Sequence, residues 1–216
     1  MTTRAKICGI TTPDALEAAI SGGADYIGLV FFPKSPRHLA IAQAKALAAQ
    51  ARGKAQIVAL TVDANDATLQ EIVDEVAPDI LQLHGREVPE RVALIKKQFG
   101  RAIIKAIPVA SADDAASAQG FTGAADLILF DAKAPPGSAL PGGNGMTFDW
   151  RALEGVAGAH PFMLSGGLGP DNVAEAIALT QPMAVDVSSG VESAPGIKDP
   201  SLIHRFLLAI KTAKQT

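Results

Sequence analysis

Eight short apolar runs punctuate the 216-residue chain: AKICG, DYIGLV, AQIVALTV, DILQLHG, AIIKAIPV, ADLILF, PFMLSGG and MAVDVSSG. Between them lie alanine-rich segments with helical spacing, such as Ala15, Leu16, Ala19 and Ile20, or Leu69, Ile72, Val73 and Val76. Helix-start signals recur: Thr12, Pro13 and Asp14 before the first helical segment, Pro170 and Asp171 in the seventh, Asp199 and Pro200 before the last. Strands that alternate with helices run parallel, because each crossover returns the chain to the same edge, and parallel strands covered by helices read as near-continuous apolar runs. The pattern predicts an α/β fold, a single (β/α)8 barrel over residues 1–216, with eight strand-helix units close to the lower size of that architecture. The alternative is a doubly wound open sheet. It usually needs fewer strands, and the glycine-rich dinucleotide turn is missing from KICGITTPDA.

Composition narrows the partners. The formal net charge is −3 and no run of lysine or arginine offers a nucleic-acid or anionic-membrane surface, so neither partner is expected. The apolar runs fall far short of the roughly 20 residues that span a bilayer. One cysteine makes no internal disulfide, and the first residues lack a signal-peptide pattern, so a cytoplasmic location is expected. Monomer and homodimer are equally open. The four histidines, His38, His84, His160 and His204, are widely separated and there is no second cysteine, so no metal is expected. A P-loop and a Gly-x-Ser-x-Gly elbow are absent, against nucleotide hydrolysis and serine-esterase chemistry.

Two strand-to-helix connections are long, FFPKSPRH and DAKAPPGSALPGGNGMTFDW, and in a barrel they share the carboxyl-terminal rim, where barrel enzymes place their chemistry. Cys8 ends the first run, and side chains two apart share a face, so Lys6 and Cys8 point together. A lone cysteine is more often a buried packing residue. At the top of a strand, beside a lysine or a helix start, a thiol is instead placed to become a thiolate base or nucleophile. In the sixth run Leu127, Leu129 and Asp131 share a face, and no helix follows directly for Asp131 to cap. Strands one and six of a ring of eight stand three steps apart, so Cys8 and Asp131 are expected to face each other across a substrate, one accepting a proton and one donating it.

The glycine turns LSGGLGPDNV and DVSSGVES follow the seventh and eighth runs, where barrel enzymes often hold phosphate on backbone amides. Either turn alone reads as ordinary turn chemistry; the adjacent pair favours phosphate. Arg37 sits among prolines in PKSPRH, which restrict the backbone before a side chain able to fork onto a carboxylate. His84 ends the fourth strand in LQLHG, on the face of Gln82, and is either a packed histidine or a ligand contact. Asp186 points into the barrel, where it needs a cation such as Lys6 or Lys105.

The motifs KICGIT, FFPKSPRHL, LQLHG, LFDAKAP with GGNGMTFDW, LSGGLGPDNV and DVSSGVESAPGIKD, in that order, resemble the phosphoribosylanthranilate isomerase family of tryptophan biosynthesis over nearly the whole chain. The resemblance implies a (β/α)8 barrel, an Amadori rearrangement and no cofactor. It implies Cys8 as general base, Asp131 as general acid, Arg37 as the anthranilate-carboxylate contact, and a phosphate site at Gly166, Gly167, Ser189 and Gly190. His84 and Asp186 are carried as substrate-side residues. Asn144 and Met146 depart from the threonine and lysine associated with the family's loop. The rivals are a Schiff-base aldolase using Lys105 and a non-catalytic sensor of a phosphorylated ligand.

Overall fold

A computed structural model describes residues 3–135, 137–138, 140–143, 145–156 and 161–213. Eight strands, β1 (Arg4–Cys8), β2 (Tyr26–Phe31), β3 (Gln56–Thr61), β4 (Ile80–Leu83), β5 (Ala102–Val109), β6 (Leu127–Ala132), β7 (Phe162–Leu164) and β8 (Ala184–Val187), pair in sequence order. All neighbours are parallel, and β8 closes on β1 with Lys6 opposite Asp186. The expected barrel is present.

Strand parity divides the interior in two. Ile7, Ile27, Leu29, Ile57, Leu81 and Val185 point outward into the large core shared with the helices. Tyr26, Val58, Ile80, Ile104, Leu129 and Met163 form a separate cluster that fills the barrel axis, as the alternation of strand side chains requires. Above it Cys8, Val30 and Leu60 make a third, smaller cluster at the carboxyl-terminal end. Lys6, Gln82 and Asp186 are polar side chains at inward positions below the mouth, all buried.

The helices are α1 (Pro13–Gly22), α2 (Ile41–Ala51), α3 (Asp66–Val76), α4 (Pro89–Phe99), α5 (Ala112–Ala116), α6 (Val173–Thr180) and α7 (Pro200–Thr212). Local chemistry sets their ends. The Thr12 hydroxyl accepts the Ala15 amide at 3.3 Å ahead of Pro13, Asn65 accepts the Thr68 amide at 2.9 Å, and Asp199 accepts the Ser201 amide at 2.8 Å ahead of Pro200. Two details differ from the sequence expectation. After β6 the described residues form only a 3₁₀ helix, Trp150–Leu153, so the sixth unit has no α-helix there. The seventh helix begins at Val173 rather than at Pro170, because Asn172 is spent on the preceding turn: its Oδ1 accepts the Gly169 amide at 2.8 Å and its Nδ2 donates to the Gly167 carbonyl at 3.0 Å. Between β8 and α7 a small antiparallel hairpin, β9 (Glu192–Ala194) and β10 (Ile197–Lys198), folds over the rim. Among the described residues no helix is long and apolar enough to cross a membrane.

Candidate active site

The carboxyl-terminal mouth holds a cleft bounded by the loop after β2, the loop after β6 and the turns after β7 and β8. Cys8, Arg37, His84, Asp131, Gly166, Gly167, Asp186 and Ser189 all line it. Gly190 lies beside Ser189 in the turn after β8; a side chain there would run into the Leu168 carbonyl, so glycine lets the two turns pack against each other.

Cys8 ends β1 with its sulfur toward the cleft, and the residue is 4 % exposed. Gly28, opposite on β2, makes the space, since a Cβ there would lie 2.9 Å from the thiol sulfur. Below it the Lys6 ammonium meets Asp186 Oδ1 at 2.9 Å, and the Ser165 hydroxyl donates to Asp186 Oδ2 at 3.2 Å. Lys6 is therefore the partner that Asp186 needed. Burial works against the Lys6 charge, but Asp186 and the thiol outweigh it and leave the ammonium above its ordinary range. For Cys8 the balance goes the other way. Burial pushes the thiol above its ordinary value, and the opposing pull of Lys6 and Lys198 does not cancel it. The cations expected beside the thiol are present, with Lys6 below it, and burial together with Asp186 works against them.

Asp131 enters from β6, three strands away through β7 and β8. Its Oδ1 accepts the Ala132 amide at 2.9 Å and its Oδ2 lies 3.2 Å from His84 Nε2. The other ring nitrogen, Nδ1, is 3.0 Å from the Gln82 amide nitrogen. His84 is therefore a packed ring with each nitrogen engaged, and it borders the cleft beside Asp131.

Gly166 and Gly167 adopt φ of 90° and 61°, the left-handed region that favours glycine. At Gly166 a Cβ would lie 2.5 Å from the Ala132 amide nitrogen, so the turn presses against the end of β6. Among the described residues the amides of Gly166, Gly167 and Leu168 have no intramolecular acceptor, whereas the next amide is held by Asn172. The main chain of Met146 packs over Gly167 and its half-exposed side chain borders the cleft; Asn144 lies outside the described residues.

Arg37 is 6 % exposed, and its stem crosses Gly9, immediately after Cys8. The guanidinium is already paired: Nε and Nη2 donate to the two carboxylate oxygens of Glu192 at 2.7 and 2.8 Å. Glu192 also receives Lys198, whose ammonium donates to the Ser188 carbonyl at 3.1 Å as well. Sequence reasoning passed over Glu192 and Lys198. The available signal was a pair of opposite charges flanking the Pro-Gly turn of ESAPGIK, which a hairpin brings together. Lys105, the aldolase candidate, is elsewhere. Its ammonium is buried on Glu87 at 2.8 Å and also donates to the Leu83 and Gly85 carbonyls, so it is outside the cleft and has no free proton position for a carbonyl substrate. Among the described residues no group of side chains has the make-up of a metal site.

A closed (β/α)8 barrel with a thiol and a carboxyl group on opposite sides of its carboxyl-terminal cleft defines a barrel enzyme of acid–base type. Residues 5–209 match the family model described as N-(5'phosphoribosyl)anthranilate (PRA) isomerase. An N-(5'-phosphoribosyl)anthranilate isomerase of Rhodopseudomonas palustris (strain HaA2) is 53% identical over 211 residues, covering 98% of this chain and 97% of the relative. A crystal structure of phosphoribosyl anthranilate isomerase from Thermotoga maritima superposes with a TM-score of 0.88 at 33% identity, covering 98% of this chain and 100% of that one. Another solved phosphoribosyl anthranilate isomerase, in complex with reduced 1-(o-carboxyphenylamino)-1-deoxyribulose 5-phosphate, gives 0.86 at 32% identity with the same coverage. The chain belongs to the N-(5'-phosphoribosyl)anthranilate isomerase family.

Proposed function

We propose that this isomerase converts N-(5-phosphoribosyl)anthranilate to 1-(2-carboxyphenylamino)-1-deoxyribulose 5-phosphate, the Amadori step of tryptophan biosynthesis, with Asp131 as general acid and Cys8 as general base. The carrying observation is the placement of those two side chains on β6 and β1, bordering one cleft from opposite sides. Asp131 gives its proton to the ring oxygen as the C1–O bond breaks, and the nitrogen lone pair closes a protonated imine. That positive charge acidifies the neighbouring C–H. The Cys8 thiolate takes the C2 proton, and the C–H electrons form the C1=C2 bond of an enolamine, neutralising the nitrogen. The enolamine then loses its 2-hydroxyl proton and gains one at C1 to give the ketone. The thiol acts as a base and forms no covalent bond.

The remaining residues divide the substrate among them. The free amides at Gly166 and Gly167, with Ser189 and Gly190 from the neighbouring turn, receive the phosphate. Arg37 receives the anthranilate carboxylate through the part of its guanidinium that Glu192 leaves open. His84 holds Asp131, and Asp186 with Lys6 forms the charged floor beneath the sulfur. Because burial holds the Cys8 thiol above its ordinary value, thiolate is the minority form near neutrality and the rising limb of the pH–rate profile follows its formation.

The test is direct: purified protein is mixed with N-(5-phosphoribosyl)anthranilate, and loss of the anthranilate-adduct fluorescence is followed with product confirmed by mass. Expected is catalytic consumption that vanishes in a Cys8→Ser, Asp131→Asn double variant. Turnover absent from the wild type, or undiminished in the double variant, removes the assignment.

A further inference from the structure

The β9–β10 hairpin is not needed to close the barrel, yet it carries two charged side chains that are almost wholly buried at the mouth. The Glu192 side chain is 3 % exposed and that of Lys198 0 %. Burying these charges is unfavourable unless they are well paired, and here the pairing is specific. The two carboxylate oxygens of Glu192 take the Nε–Nη2 edge of Arg37 in a fork, the strongest geometry an arginine offers. Lys198 approaches the same carboxylate from the facing strand.

The hairpin is also seated on the loop that carries Arg37. Its turn residue Gly196 has a φ of 83°, and a Cβ there would lie 2.6 Å from the Pro36 carbonyl. The Gly196 amide donates to Glu192 Oε2 at 3.2 Å, and the Thr11 hydroxyl donates to the Gly196 carbonyl at 3.4 Å. The turn, the carboxylate and the arginine loop are thereby tied to one another and to the first strand-to-helix connection.

Two consequences follow for the guanidinium. Its stem lies on Gly9, where a Cβ would come within 2.6 Å of Cδ, and its inner edge is held by Glu192, so its plane has little freedom. Among the described residues Nη1 has no hydrogen-bond partner, and it stands beside Gly143 in the loop after β6, at the cleft.

We propose that Glu192 is a positioning residue for the substrate carboxylate: by taking the Nε–Nη2 edge of Arg37 it aims Nη1 at that carboxylate, with Lys198 holding Glu192 in place. Glu192 touches no substrate. The prolines of PKSPRH, which the sequence suggested as the restraint on Arg37, act only on the backbone; the side chain is set from β9. The proposal rests on the isomerase reading above.

Two inhibitors separate the ideas: reduced 1-(2-carboxyphenylamino)-1-deoxyribulose 5-phosphate, and the phenylamino compound that lacks the carboxyl group. Their dissociation constants are measured calorimetrically on wild type, Glu192→Gln and Glu192→Asp. The wild type is expected to prefer the carboxylated compound. In Glu192→Gln that preference falls by about 10-fold or more, the usual size of a charge-assisted hydrogen bond, while affinity for the other compound changes by less than about 3-fold. Glu192→Asp, which keeps the charge with a shorter reach, falls between the two. With the natural substrate, Glu192→Gln raises KM with kcat changed by less than about 3-fold. Because the preference is a ratio measured on one preparation, a partly unfolded sample does not alter it, and Glu192→Asp serves alone if Glu192→Gln does not fold. An unchanged preference in the variants, equal losses on both compounds, or a wild type that binds both equally overturns the proposal and leaves the isomerase assignment standing. A wild type that neither isomerises the substrate nor binds either compound overturns the assignment instead.

Discussion

Two of the buried lysine–carboxylate pairs of the barrel, Lys105–Glu87 and Lys6–Asp186, do opposite things. Lys105 and Glu87 meet at 2.8 Å, and every remaining polar group around them is used: the ammonium also donates to Leu83 and Gly85 carbonyls, and Glu87 accepts the Asp63 and Gly85 amides. This pair locks the chain beyond β4 to β5. Lys6 and Asp186 meet at 2.9 Å on the inward faces of β1 and β8, but there the surroundings include a thiol and the floor of a cleft. A saturated pair has nothing left to offer and acts as structure. A pair with a titratable neighbour transmits its charge, and Cys8 is where it is felt.

The largest expected effect tests the structural half of that contrast. Lys105→Met strands Glu87 as an unpaired buried carboxylate and is expected to lower stability by about 3–5 kcal/mol, read as a fall in melting temperature. Turnover per folded molecule stays near wild type; a loss of kcat beyond the loss of folded protein would erase the distinction between the pairs. Next come the reacting groups. Cys8→Ser and Asp131→Asn are each expected to reduce kcat by about 100-fold or more, or about 2.7 kcal/mol, with a melting temperature close to wild type. Steady-state rates and a melt on the same preparation check both, and wild-type turnover in either variant removes that residue from its role.

A smaller effect is expected at Arg37→Ala, where KM for N-(5-phosphoribosyl)anthranilate rises about 10-fold as the charge-assisted contact to the carboxylate disappears. An unchanged KM would detach the guanidinium from substrate recognition. The smallest effect sharpens the comparison most. Cys8 is raised by burial and lowered by Lys6 and Lys198, so removing one cation raises it further. In Lys198→Met the rise of kcat/KM with pH therefore moves to higher pH, because the thiolate forms later. A pH–rate profile checks the sign, and a shift toward lower pH would show that Lys198 does not act on the sulfur.

The barrel was legible because its signal is periodic and repeated. Eight apolar runs with helical spacing between them leave few parallel folds, and the caps at Thr12 and Asp199 behave as their side chains dictate. The pairing of Asp186 with one of two lysines was also legible, since an inward carboxylate demands a cation. The choice of Lys6 was not, because it depends on the β1–β8 register that sets Lys6 opposite Asp186 and on Lys105 turning to Glu87 instead. The start of α6 was misplaced for a similar reason: Asn172 is drawn into a turn that packs against β6, a contact no local propensity encodes.

By itself, the sequence determined which residue types are available at the carboxyl-terminal end of each strand, because alternation of side chains is a local property of extended backbone. That was enough to bring Cys8, Asp131 and the paired glycine turns to one rim. The tertiary structure alone decided their energetics. Whether a thiol gains more from two cations than it loses by leaving water depends on how deeply the fold buries all three. Likewise the direction of the Arg37 guanidinium is set by Glu192, 155 positions along the chain, and only closure of the barrel brings the two within hydrogen-bonding distance.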